Sequence, residues 1–328
     1  MKLLSLLPQL MVTLAAFLMV LLAKYLQHDE IILPSLGALL TGTWLVKTNL
    51  WHYSKLKLFV SLPLAATIGL LLSLFIASAS YAFVYPSIYI AFLITASILI
   101  VGRTQIYPCF GAAILPVLLQ TTSWFYPLSV LIIAIVLCLG RALLERLHVL
   151  SSLSETEFSD FPKHKRERAA HYLQASFGLL PVLFLVACVS EQDMLLAPMF
   201  VTYATFCNHH STFTNYPFQT WLQLFIAIGT GSLTCLLAQF AATFPPLSTH
   251  APLLSGLFAA HAIVITMLIG RAFHRLFPPA MSIALTPFLV NVHPWFFLYV
   301  PCMMAYFIFI AWIMRNHPAY KNMDLKYL

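Results

Sequence analysis

Four short apolar stretches, each opened by a proline and rich in small residues, are the part of this sequence best suited to bind a ligand. They begin at Pro34, Pro108, Pro198 and Pro278. Proline suits the first turn of a helix, and small side chains let another backbone approach closely. Helix starts carry unpaired N–H groups and a partial positive charge, so they attract anions. The stretches predict a site for an anion or a small polar solute, unless they are only kinked packing elements.

The candidate binding residues are the prolines of these stretches, the small residues beside them and the hydroxyl groups within them. The predicted set is Pro34, Ser35, Gly37, Thr41, Pro108, Gly111, Ala112, Thr202, Thr205, Pro278, Ser282 and Thr286. Three arginines precede the short stretches: Arg103 and Arg271 at matched positions, and Arg275. They are interpreted either as a cytoplasmic mouth that draws in anions or as anchors that fix the topology.

Histidine and cysteine offer a second kind of chemistry. His261 is the one ionisable residue well inside a long apolar span, and an intramembrane histidine usually faces the bundle interior. It is predicted either to line the substrate path or to be a structural residue. The run Cys207-Asn208-His209-His210 places soft ligands together, but no second half of a metal site accompanies it. We therefore expect no metal and no cofactor.

The composition indicates what must position these residues. Of 328 residues, 61% are hydrophobic and 8% are charged, against roughly 45–50% and about 25% in soluble domains. No Asp, Glu, Lys or Arg interrupts residues 194–270 or 276–314. Runs of this length predict an all-α polytopic membrane protein.

The chain contains two copies of one pattern. Residues 102–118 and 270–288 share a Gly-Arg pair, an aromatic-proline pair and a second proline, and Trp124-Phe125 matches Trp295-Phe296. The sequence therefore predicts about twelve membrane segments in two six-segment repeats. In the first repeat the segments are 3–23, 31–46, 57–79, 86–102, 107–121 and 125–144, and in the second they are 172–190, 194–207, 218–240, 252–270, 277–290 and 295–314.

Two segments in each copy, 31–46 and 107–121 in the first and 194–207 and 277–290 in the second, are too short to cross about 30 Å of hydrocarbon and are interpreted as half-helices. The predicted domains are a first membrane repeat (1–144), a cytoplasmic linker (145–171), a second membrane repeat (172–316) and a cytoplasmic tail (317–328).

The charge distribution predicts the orientation. With twelve crossings and a cytoplasmic amino terminus, every Lys and Arg except Lys24 falls on the cytoplasmic side. Both termini are then cytoplasmic in a multi-pass protein of the cell membrane. Six crossings per copy make the repeats parallel, related by an axis along the membrane normal.

The motif order resembles that of the HPP family of integral membrane proteins, once in each half of the chain. The resemblance rests on a Pro-x-x-Gly-Ala start to one short helix and on Leu-Phe-Pro-Pro-Ala at residues 276–280, followed by a Trp-Phe start to the last span. The family is named for a His-Pro-Pro motif, and its plant members are associated with nitrite transport across the plastid envelope. Here the motif histidine is replaced by Tyr107 and Phe277, and the second proline of the first copy by Cys109. Any role of that histidine is therefore not expected here.

These observations together predict a transporter or channel-like facilitator for a small, nitrite-like anion or a small polar solute. Its partners are the lipid bilayer and that solute, with no nucleic acid, and a homo-oligomer is left open. The alternative is an intramembrane enzyme, with His261, His209 and His210 doing chemistry, or a membrane scaffold for another protein. No Walker loop, dinucleotide fingerprint or nucleophile elbow occurs, so the enzyme is the less favoured class.

Overall fold

The computed structural model describes residues 2–46, 51, 53–79, 83–151, 165–189, 197–207, 212–289 and 296–316. Within these ranges the chain is helical apart from turns, and no strand occurs. The helices are α1 Lys2–Leu26, α2 Leu36–Leu40, α3 Lys55–Ala79, α4 Val84–Val101, α5 Pro108–Leu119, α6 Phe125–Arg146, α7 Lys165–Val189, α8 Ala197–Cys207, α9 Pro217–Ala242, α10 Pro245–Ser248, α11 Ala251–Ala272, α12 Pro278–Leu285 and α13 Phe296–Asn316. A π-helix, Thr41–Leu45, continues α2, and a 3₁₀ turn, Thr286–Phe288, continues α12.

Seven helices in the described part of the chain are long and apolar enough to cross a membrane. They are Leu6–Leu26, Lys55–Ser78, Val84–Val101, Phe125–Arg146, Pro217–Ala242, Ala251–Ala272 and Phe297–Met314. The prediction of an all-helical, multi-pass membrane protein is therefore confirmed.

Helix α1 has one face exposed on the outside of the protein and one face buried within it. Its leucines at positions 6, 10, 14, 18 and 22 are exposed, whereas Val12, Ala16, Val20 and Ala23 are fully buried. Residues four apart share one face of a helix. The leucine stripe is therefore the face offered to lipid, and the smaller residues face the protein.

The short helices lie inside the shell that the long helices form. Every residue of α2, α8 and α12 is buried, and so are the residues of α5 from Pro108 to Val117. Helix α5 packs against α3 and α4, and α12 packs against α9 and α11. The half-helix segments predicted from length are thus core elements, shielded from lipid by the longer helices.

Contacts at the start of each half cross to the other half. Helix α1 packs along α11, and α7 packs along α4. In the same way α2 packs against α12, and α8 packs against α5. The first two helices of each half therefore pack against the other half, and α8 packs in addition against α13 in its own half.

Glycines set the closest of these approaches. A Cβ at Gly69 of α3 would overlap the carbonyl oxygen of Ala113 in α5, and a Cβ at Gly231 of α9 would overlap that of Ala284 in α12. A long span thus meets the backbone of a short helix at a glycine in both halves, as small residues permit in membrane bundles.

Five helices end in the same way. The described non-glycine residues with positive φ are Gln27, Arg103, Gln120, His148 and His274, with φ between 49 and 56°. The amide that follows each bonds back to a carbonyl five residues earlier, as Thr104 N–H does to Leu99 O (3.0 Å) and Arg275 N–H to Gly270 O (2.9 Å). These are Schellman motifs, which satisfy carbonyls at a helix end.

The Schellman motifs correct the predicted match of Arg103 with Arg271. Arg103 lies just beyond α4 in the left-handed conformation, whereas Arg271 is in the last turn of α11. The residue in the position equivalent to Arg103 is His274. The predicted boundaries shift elsewhere too: α7 begins at Lys165, inside the segment assigned to the linker, because Lys165–Ala170 continue the helix.

We expect Gly231→Ala to destabilise the protein by about 1–3 kcal/mol, because the added methyl group has no room against the Ala284 carbonyl. The matched control is Gly229→Ala on the same helix, where an added Cβ meets nothing within 4 Å. That change should leave stability unchanged or raise it by up to about 1 kcal/mol. Thermal unfolding in detergent measures both, and equal effects would contradict the close approach.

Candidate binding site at the junction of the short helices

Residues within the first five positions of the four short helices meet in the interior. A methyl group added at Gly111 of α5 would lie 3.1 Å from Ser35 Cβ, at the start of α2, and 3.3 Å from Val201 Cγ2 in α8. One added at Gly37 of α2 would lie 2.6 Å from the Ser282 nitrogen in α12. We call this meeting point the junction, defined by Ser35, Gly37, Gly111, Val201 and Ser282. It joins residues from both halves of the chain.

One hydrogen bond ties α2 to α12 across the junction. The amide of Ala38 donates to Ser282 Oγ over 2.8 Å, and both residues are buried. This amide is among the first-turn N–H groups that have no partner within their own helix. Ser282 therefore satisfies a helix start that lies 244 residues earlier in the sequence.

Ser35 carries the unsatisfied group of the junction. Its side chain is fully buried, and its hydroxyl has no hydrogen-bond partner among the described residues. A buried hydroxyl without a partner costs free energy, so such a group in a native protein calls for a partner such as water or a ligand. Ser35 lies directly against Gly111, where an added Cβ would come within 3.1 Å of Ser35 Cβ and 3.4 Å of its Oγ.

The threonines of the predicted set bond within their own helices. Thr41 donates to Gly37 O (2.7 Å), Thr202 to Pro198 O (3.0 Å), Thr205 to Val201 O (2.7 Å) and Thr286 to Ser282 O (3.1 Å). These are the i to i−4 bonds that Ser and Thr make inside helices. The expectation that these hydroxyls donate to a ligand is corrected, because each proton is already committed to a carbonyl.

The first-turn amides of two other short helices also have protein partners. Cys109 N–H donates to Ile106 O and Phe110 N–H to Tyr107 O, each over 3.0 Å, and Ala280 N–H donates to Phe277 O over 3.0 Å. From the sequence we expected these amides to be unpaired and to attract an anion. The tight turns that lead into α5 and α12 satisfy these amides instead. The polar groups left to interact with a ligand at the junction are therefore side-chain hydroxyls and the helix dipoles.

The remaining predicted residues of the short helices are packed. Pro34, Pro108, Pro278 and Ala112 are all buried, and the Ala112 carbonyl accepts the Tyr126 hydroxyl over 2.6 Å. Gly37 lies against the backbone of α12. A leucine at position 37 would therefore disrupt the packing of α2 against α12.

Aromatic residues occupy the two positions at which the His-Pro-Pro motif would place its histidine. Tyr107 is buried before α5. Phe277 is buried before α12, with its ring centroid 4.7 Å from that of Phe213 and 6.1 Å from that of Phe206. This apolar cluster packs the entrance to α12 and has no acid–base group to offer.

The predicted arginines lie at helix ends. Arg103 is exposed, and its carbonyl accepts Lys57 Nζ over 3.1 Å. Arg271 is exposed in the last turn of α11. Arg275 places its guanidinium 3.8 Å from the centre of the Tyr216 ring, a cation–π contact that pins the loop before α12 to the start of α9.

His261 faces outward. It lies at the middle of α11, is exposed, and its Nδ1 is 2.9 Å from the Leu257 carbonyl oxygen. The expectation that it faces the bundle interior is corrected: Ala259, Ala262 and Ile263 hold the inward face of α11. His209 and His210 lie outside the described residues, and within the described ranges no three potential metal ligands come together.

Sequence reasoning missed the charged cluster around Arg141. Arg141 is 1% exposed, and its Nε donates to Glu145 Oε1 over 2.9 Å, while Glu145 also pairs with Lys55. Nearby, burial raises the pKa of Tyr53 to about 12, opposed by Arg141, so Tyr53 is neutral at physiological pH. The four-residue spacing of Arg141 and Glu145 was the available signal for their pairing.

No family model, curated protein or solved structure matches the chain. The junction and its chemistry are therefore the basis on which a function can be proposed.

We expect Ser282→Ala to destabilise the protein by about 1–3 kcal/mol, because it leaves the buried Ala38 amide without an acceptor. Ser35→Ala, the matched control, removes a hydroxyl that has no described partner and should be neutral or slightly stabilising. Thermal unfolding of the two variants in detergent compares their stabilities. A larger loss for Ser35→Ala would show that its hydroxyl already has a structural partner.

Proposed function

We propose that this protein is a membrane transporter or channel-like facilitator for a small anion of nitrite-like size. The observation that carries the proposal is the junction, where residues within the first five positions of four buried short helices meet beside the Ser35 hydroxyl, which has no partner among the described residues. Helix starts concentrate partial positive charge, and a hydroxyl donor among them can bind an oxyanion.

The surroundings favour a small and singly charged solute. No Asp, Glu, Lys or Arg lies in α2, α5, α8 or α12. A site built from helix dipoles and hydroxyls attracts an anion without holding it as tightly as a buried cation would. Such weak binding suits passage, since a transported solute must leave as well as enter.

We also propose the full architecture of two parallel six-segment repeats, with α10 as an addition to the second. Matched packing supports it: α3 meets α5 at Gly69, and α9 meets α12 at Gly231. The cross-half contacts pair likewise, with α1 on α11 and α7 on α4. A two-fold relation along the membrane normal makes each of these contacts the counterpart of the other.

The proposed orientation places both termini and the linker in the cytoplasm of a cell-membrane protein. Lys55, Lys57, Arg103 and Arg275 lie at or near the starts of α3, α5, α9 and α12, and these helix ends share the predicted cytoplasmic side. Nothing about His261 favours the enzyme alternative, because it faces outward and away from the inward face of α11. Membership of the HPP family remains a prediction from the motifs.

Anion flux into proteoliposomes containing the purified chain tests the function, with nitrite, nitrate and formate as anions and urea as a neutral solute. Ser35→Ala should lower anion flux roughly tenfold, the loss of one hydrogen bond of about 1.4 kcal/mol. Thr41→Val, in the same segment, is the control, because its hydroxyl serves only its own helix. Urea flux without anion flux would replace the anion by a neutral solute, and no flux at all would overturn the proposal.

Accessibility of a cysteine placed in residues 152–164 tests the orientation. In a variant whose exposed Cys188 and Cys302 are alanines, an impermeant maleimide should label that cysteine only after the cells are opened. Labelling of intact cells would place the linker outside and reverse the proposed topology.

A further inference from the structure

Arg141 in α6 is the largest fully buried side chain in the described part of the chain. Besides its bond to Glu145, its Nη1 donates to the Thr43 carbonyl and its Nη2 to the Ser151 carbonyl, each over 2.8 Å. One side chain thus connects α6 to the π-helix that ends the α2 segment and to the residue that precedes 152–164. We call this set of contacts the Arg141 clamp.

Arg141 differs from a basic residue that only anchors the topology, because it is buried. A basic residue that only marks the cytoplasmic side can place its charge in water, whereas the Arg141 side chain is 2% exposed. Burying a guanidinium is costly unless it is paired and hydrogen-bonded. Here Glu145 pairs with it, and Lys55 at the start of α3 pairs with the same carboxylate. In this arrangement a buried guanidinium holds backbone carbonyls in place.

The clamp is reinforced by a tryptophan on the same segment. The Trp44 indole N–H donates to Leu137 O over 3.1 Å, and the Trp44 ring occupies the space left by the missing side chain of Gly140. Leu137, Gly140 and Arg141 are three and four residues apart, so they lie on one face of α6. That face holds the end of Leu36–Leu45 by both a ring and two hydrogen bonds.

The other end of the same segment is the junction. Ser35 precedes α2, and Gly37 lies against α12. Leu36–Leu45 spans about 15 Å at about 1.5 Å per residue, so it acts as a short rod with the Ser35 hydroxyl at one end and the clamp at the other. A shift at the clamped end moves Ser35 relative to Gly111, because the residues between them are helical and buried.

The second half is built differently at the equivalent place. Adding the 171 residues that separate Trp124 from Trp295 places Trp312 opposite Arg141 and Asn316 opposite Glu145. Trp312 is 53% exposed, and its carbonyl accepts the Asn316 amide within α13. Helix α8 instead meets α13 through aromatic contacts, with Phe200 and Tyr203 each 5.6 Å from the Phe307 ring. Among described residues, ionic clamping is confined to the first half.

We propose that Arg141 is a positioning residue for the binding site: it fixes the Leu36–Leu45 rod so that the Ser35 hydroxyl stays at the junction. This inference rests on the proposed function. The inference distinguishes the two halves: the first has an ionic contact that fixes its short helix, whereas the second has Trp312 at the matched position.

The test combines hydrogen exchange with flux, both on the full chain. Arg141→Lys keeps a positive charge but cannot make the three directed contacts. It should speed amide exchange in Leu36–Leu45 roughly tenfold, and it should raise the KM for nitrite flux roughly tenfold with little change in kcat. Arg146→Gln, at an exposed position one residue beyond Glu145, is the control and should change neither. A purely structural role would lower the amount of folded protein without this rise in KM.

Trp44→Phe provides a second variant in case Arg141→Lys does not fold. It keeps an aromatic ring beside Gly140 but removes the donor to Leu137 O, so it should change exchange and KM in the same direction by smaller factors. Unchanged exchange in Leu36–Leu45 overturns the clamp whatever the flux does. Faster exchange with unchanged KM overturns the positioning role. Absence of flux of nitrite, nitrate and formate in the wild-type protein, by contrast, overturns the proposed anion transport, and the exchange result alone then judges the clamp.

Discussion

Pairing of backbone polar groups inside the membrane is the constraint on which this structure depends. A short helix that starts in the interior exposes amides that lipid cannot satisfy, and each unsatisfied amide costs several kcal/mol. The chain resolves this by bringing the short helices together and surrounding them with long ones. Ser282 accepts the Ala38 amide, and tight turns satisfy the amides of Phe110 and Ala280. The start of α2 therefore depends on α12, whereas the starts of α5 and α12 satisfy these amides within their own turns.

Close approach is the consequence of that grouping. Gly69 and Gly231 bring a long span against a short-helix carbonyl, Gly37 brings α2 against α12, and Gly140 receives the Trp44 ring. Lipid gives no hydrophobic gain for packing leucine against leucine, so contact area at small residues supplies the stability. The leucine stripe of α1, by contrast, lies on the outer face. Small residues thus decide which helices touch.

Charge is kept away from the junction and used where it holds structure. The short helices contain no Asp, Glu, Lys or Arg, and the junction offers hydroxyls and helix dipoles. The one fully buried cation among the described residues, Arg141, binds carbonyls at the far end of the α2 segment. A weakly polar centre with a rigid support on one side suits selection of a small solute that must also be released.

The sequence alone determined the class of protein and the positions of its short helices, because apolar length and proline placement are local properties. The Pro108 and Pro278 starts were predictable to the residue for that reason. Only the tertiary structure decided which face of each helix points inward, since helices apolar on every side carry little record of orientation. His261 therefore turned out to face outward, and Arg141, which the sequence placed only among the cytoplasmic basic residues, turned out to be buried. The Ser282 bond to a helix start in the other half had no local signal, because it depends on the exchange of helices between the two halves.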